Sequence, residues 1–182
     1  MQTSLGQALF EVRTVVDQID EKASLAVYHS YFISQVRYGI IFWGNSTKSI
    51  SIFRLQKKDI RILTNSKFNA TCKPLFKKLA FMTLPAIYIY ELSIVVYSNI
   101  SKFESDNVDH RYPIRSHQLN YPIHKTTKYE KGPFYMGLRI FNKVPESIKT
   151  GCLEQFKINL KQVLIDLRPY TVEEFLNMYT IL

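Results

Sequence analysis

Residues 48–65, KSISIFRLQKKDIRILTN, decide the reading of this chain. At about 100° per residue, Ile52, Phe53, Gln56, Ile60 and Leu63 fall on one side of a helix. Arg54, Lys57, Lys58 and Arg61 gather on a neighbouring sector about as wide. The spacing predicts a helix that packs one face on a bundle and turns four cations outward together. Like charges at these spacings cost a few tenths of a kcal/mol per pair. A cluster that repels itself in this way points to an anionic partner.

Upstream, Lys22 to Trp43 reads as one long helix. His29, Ser30, Ser34 and Arg37 share a narrow polar face, and nearly all else is apolar or aromatic. A helix so apolar around its circumference belongs inside a bundle. Gly44-Asn45 reads as its stop, with Thr47 placed to cap the next helix. Further back, Leu5, Leu9, Val12, Val16 and Ile19 form one amphipathic stripe over Ser4–Asp20. That segment starts abruptly, as expected for a chain cut from something longer.

Downstream, Ser66–Thr71 is a polar loop, and Pro74–Leu79 a short helix with Pro in its first turn. Thr83 opens an apolar helix to about Asn99. The stretch Leu79–Tyr97 is the one candidate membrane span, but Glu91 lies at its middle and Pro85 inside it. A charge at mid-bilayer costs about 3 kcal/mol on insertion scales, so a buried core helix is expected and no membrane. From Ser101 to Lys131 periodicity disappears. Gly132-Pro133 starts a helix through Leu138, Phe141 and Val144, and Pro145 ends it. Leu153, Phe156, Leu160, Val163 and Leu167 step 3-4-3-4 along another, closed by Arg168-Pro169. Thr171 to Glu174 matches a capping box and begins a last helix to about Tyr179. No sustained strand alternation occurs. The expected fold is all-α, a bundle of about six to eight helices with one long irregular loop. In chain order it divides into a bundle over 1–100, an irregular connection over 101–131 and a helical tail over 132–182.

Composition bounds the function. The 182 residues are 46% hydrophobic, with 12 Tyr and 12 Phe, enough for a real core. The net charge of +9 favours phosphate backbones or anionic membranes as partners. Two cysteines, Cys72 and Cys152, make no CxxC pair, and the N-terminus lacks the cationic start and apolar run of a signal peptide. A reducing, intracellular setting is expected, with nucleus and cytoplasm undistinguished.

The carboxylates, histidines and cysteines form no pattern that catalysis needs. The acids include no Asp-Asp pair, and Glu173-Glu174 point about 100° apart on a helix. His110, His117 and His124 are seven apart, but Pro113 and Pro122 forbid a regular helix there. Cys152 has no base linked to it in sequence, and no phosphate loop, GxSxG or HExxH occurs. No catalytic residue, metal site or cofactor is expected. What remains is basic clusters with aromatics between them: Arg54, Lys57, Lys58 and Arg61; then Lys73, Lys77 and Lys78; then Lys125, Lys128 and Lys131 around Tyr129. Such side chains hold phosphates without reading sequence.

Several runs also carry a family likeness. Ala26–Phe32 (AVYHSYF), Val36–Ser46 (VRYGIIFWGNS) and Ile52–Lys58 (IFRLQKK) with Arg61-Ile62 resemble the segment after the polymerase palm in reverse transcriptases of jockey-like, non-LTR retrotransposons. The likeness continues through Cys72–Leu79 to Leu84-Pro85, His110-Arg111-Tyr112 with Arg115, Phe141–Pro145, Phe156-Lys157 and Tyr170–Leu176. The resemblance implies a helical thumb and C-terminal tail, which in that family lie against the template–primer duplex. It implies that Arg54, Lys57, Lys58 and Arg61 contact an RNA–DNA or other nucleic-acid duplex. The family's catalytic aspartates would lie upstream of residue 1, so no polymerase activity is expected of this chain alone. A missing palm domain or another protein chain is the further partner implied, and a structural protein pairing through the face once docked to the palm is the alternative.

Overall fold

The computed structural model describes residues 21–101, 119–122, 126–130 and 132–178. The stripe over Ser4–Asp20 and the histidines at 110, 117 and 124 lie outside these. Helix α1 (Glu21–Val27) runs into a π-helical stretch (Tyr28–Ile33) and on into α2 (Ser34–Arg37). Then come α3 (Ile40–Trp43), α4 (Ser49–Leu63), α5 (Cys72–Leu79) and α6 (Leu84–Ser98). After them follow α7 (Thr127–Glu130), α8 (Pro133–Lys143), α9 (Glu146–Lys149), α10 (Leu153–Leu167) and α11 (Val172–Met178). Among the described residues there is no strand. The chain is an all-α bundle, as its periodicity predicts.

The π-helical stretch has a packing reason. Ser24, Tyr28, Phe32, Val36 and Ile40 are all buried, at a strict spacing of four. In a regular α-helix four residues overshoot a full turn by about 40°, so such a stripe would wind off the core. The wider π turn takes up the overshoot and returns the stripe to one side.

The long helix expected over Lys22–Trp43 is interrupted. Tyr38 is extended (ψ 108) and Gly39 is left-handed (φ 63), a conformation that favours glycine. The Trp43 indole donates to the Tyr38 carbonyl at 3.1 Å, satisfying a group freed by the break. Gly44 serves close approach rather than a left-handed stop, because its backbone is right-handed (φ -61). A Cβ there would stand 2.4 Å from Cδ2 of the buried Tyr88. We expect Gly44→Ala to cost about 2 kcal/mol by overpacking, seen as a lower Tm. A Tm within a degree of wild type would refute the close approach. Thr47 caps nothing: Lys48 precedes α4, and no side chain caps it.

Helix α6 is the axis of the bundle. Leu84, Ala86–Tyr90, Leu92, Ser93 and Val96 are all buried. Thr83 caps it, accepting from the Ala86 N–H at 3.3 Å and donating to the Pro169 carbonyl at 2.6 Å. Helices α8 and α10 pack on α6, as do α2 to α4. Residues before 100 and after 132 therefore share one core. Glu91, which argued against a membrane span, pairs with Arg37 at 2.6 Å. Among the described residues no single helix is long and apolar enough to cross a membrane. Helices α5 and α6 together have that length and apolarity, but they are bent by 52°.

Inside the long connection, Leu119 is buried and Asn142 holds it. The Asn142 amide donates to the Leu119 carbonyl at 2.8 Å, and its oxygen accepts from the Leu119 N–H at 2.9 Å. At the far end the capping box forms: the Glu174 N–H donates to Thr171 Oγ1 at 3.0 Å, and Glu174 accepts from the Tyr170 N–H at 2.6 Å.

Candidate nucleic-acid interface

Helices α4 and α5 form an antiparallel hairpin. Two contacts fix its register: the Phe53 and Phe76 rings lie 6.4 Å apart, and Cys72 Sγ lies 3.7 Å from the Lys57 carbonyl. Arg54 and Lys77 thus stand at one end, with Lys58 and Lys73 nearer the loop. Residues 49–79 carry eight Lys and Arg against one acid, Asp59.

Asp59 is buried completely, and neither carboxylate oxygen has a hydrogen-bond partner among the described residues. Burial pushes its pKa up to about 8, so the carboxyl is mostly protonated at neutral pH. The hairpin's one acid therefore offsets little of its charge. Its helical angle places it beside Ile52 and Leu63, which is the signal by which sequence alone would have found it. Beside it, Gln56 donates to Tyr28 Oη and to the Met82 carbonyl, both at 3.1 Å, and accepts from the Leu84 N–H at 2.8 Å.

The seven cations predicted from sequence divide into two groups. Arg54, Lys58, Lys77 and Lys78 are exposed and make no ion pair among the described residues. Lys57, Arg61 and Lys73 are partly buried and already engaged. The Lys57 ammonium lies 4.9 Å from the Phe53 ring and 5.5 Å from the Tyr170 ring. Lys73 lies 5.0 Å from that same Tyr170 ring and pairs with Glu174 at 2.7 Å. Arg61 donates to the Ala70 carbonyl at 2.9 Å, tying the loop to its helix. The expectation that all four cations of α4 are presented outward is thus corrected for Lys57 and Arg61. They lie on the expected sector, but Tyr170 and the 64–71 loop reach it. Burial works against the Glu174 carboxylate, yet the bonds from Lys73, Tyr170 and Thr171 outweigh it and hold its pKa below the ordinary value.

Lys125 and Lys131 fall outside the described residues, as does the side chain of Lys128. Tyr129 is exposed and meets Tyr135 edge-on at 6.3 Å. Cys152 is exposed and immediately precedes α10, and His29 packs edge-on against Phe81 at 4.8 Å. Among the described residues no three His, Cys, Asp or Glu side chains converge as a metal site would need.

Comparison with protein-family models, with curated proteins and with solved structures found no match to this chain.

Proposed function

We propose that this chain is a duplex-gripping module, the thumb and tail of a non-LTR retrotransposon reverse transcriptase without its catalytic palm. The observation that carries the reading is the α4–α5 hairpin, with eight cations and a single acid that is buried and largely uncharged. The family likeness of the same residues supports it. Binding runs through phosphate contacts and ignores base sequence. Arg54, Lys58, Lys77 and Lys78 are the contacting residues, while Lys57, Arg61 and Lys73 set the shape of the surface. Changing the four exposed cations to Ala weakens binding to an RNA–DNA duplex at least tenfold in low salt, measured by fluorescence anisotropy. The slope of log affinity against log salt falls by about 3.6, since each of the four phosphate contacts contributes roughly 0.9. Equal affinity of wild type and variant in low salt would remove the reading.

A second reading, pairing with another protein chain, is favoured by Tyr38 and Phe42, which are 85% and 75% exposed. Exposed apolar patches mark such surfaces. A stable dimer in light scattering, indifferent to nucleic acid, would select it.

A further inference from the structure

Phe68, in the turn between the two basic helices, is 81% exposed and makes no ring contact among the described residues. A single exposed aromatic is ordinary on a protein surface. Its setting is not. The loop that presents it is built by hydrogen bonds throughout. The Ser66 N–H donates to the Arg61 carbonyl at 2.8 Å and the Asn65 N–H to that of Ile62 at 3.0 Å, closing α4. Asn65 itself is left-handed (φ 47). Thr64 Oγ1 and Ser66 Oγ lie 2.8 Å apart, and the Ala70 N–H donates to the Lys67 carbonyl at 2.9 Å around Phe68 itself. Arg61 then fastens Ala70 to the cationic sector of α4. Little loop entropy remains to be lost on contact, so an apolar ring is held ready rather than left to fold back.

The charge around it gives the occupant. Arg54, Lys58 and Arg61 fall on one line of α4, running toward the loop, and the exposed Lys67 precedes the ring. That line of charge ends at the loop that carries Phe68. A protein partner would have to be strongly acidic to follow the same path, whereas a nucleic acid supplies both the charge and a flat apolar surface. Bases in a continuous duplex are stacked on each other and offer no free face. An unpaired base does, and every base has one.

We propose that Phe68 is a stacking residue for an unpaired nucleobase, at a strand end or a single-strand junction beside the gripped duplex. This rests on the duplex-gripping reading above. The test compares wild type, Phe68→Ala and Phe68→Trp on a blunt RNA–DNA duplex and on the same duplex with unpaired nucleotides at one end. 2-Aminopurine at the first unpaired position reports stacking by loss of fluorescence. The expected result is that Phe68→Ala weakens binding to the overhang duplex roughly tenfold and abolishes the quenching, while blunt-duplex affinity stays within twofold. Phe68→Trp keeps both. If Phe68→Ala changes blunt and overhang binding equally, or neither, the stacking site is overturned while the grip stands. If wild type binds neither duplex, both fall.

Discussion

Asp59→Asn is expected to stabilise the protein at neutral and alkaline pH, and to remove most of its pH dependence between pH 4 and 8. The carboxyl titrates near 3.8 in ordinary surroundings and near 8 in the folded chain, where burial disfavours its charge. Between those values the folded state holds a proton that the unfolded state has released. Stability is therefore complete below about pH 4, falls as pH rises through this window, and levels off above about 8. At pH 7 the accumulated loss is roughly 4 kcal/mol, from about 1.4 kcal/mol per unit. Asn has the shape of the protonated acid and cannot ionise. Its Tm should exceed wild type by on the order of 10–20 °C at pH 8, with the gap closing at pH 4. Parallel Tm–pH curves for the two proteins would show that Asp59 finds a counter-charge or water when the protein folds.

Phe156→Ala should destabilise the whole molecule by about 4 kcal/mol. The ring is fully buried, stacked at 4.3 Å on Tyr97 and set 6.1 Å from Phe141. It thus joins α10 to both α6 and α8, and its loss leaves a cavity that three helices line. The one tryptophan, Trp43, lies more than a hundred residues earlier in the sequence, partly buried against the same core. In denaturant titrations the Trp43 signal and the helical circular dichroism should shift together to a lower midpoint. An unchanged Trp43 midpoint with a separate early loss of helix would mean that α8 and α10 fold apart from the rest.

Periodicity made α4 and α10 legible because each buries a single face, and α6 was legible because it is apolar all round. Helix α4 begins within a residue of the predicted start, and α10 spans Leu153 to Leu167 as its 3-4-3-4 stepping requires. The break at Gly39 is hidden from periodicity because apolar residues flank it on both sides, so no change of pattern marks it. Gly39 itself was the available signal. On the basic hairpin, residue type and angle sufficed to place Arg54 and Lys58 outward, where they are exposed and make no ion pair among the described residues. They failed for Lys57 and Lys73, whose surroundings are set by Tyr170 and Glu174, about a hundred residues further along the chain. Distance in sequence hides such a contact from any local reading.

The π-helical turn at Tyr28–Ile33 has an effect beyond packing. Six residues at the wider π pitch, about 80° each, turn through nearly the same angle as five at the α-helical 100°. The stretch thus absorbs one surplus residue while Glu21–Val27 and Ser34–Arg37 keep the heading of an unbroken helix. Deleting a single residue among those six should leave a plain α-helix whose flanking turns still face the same way.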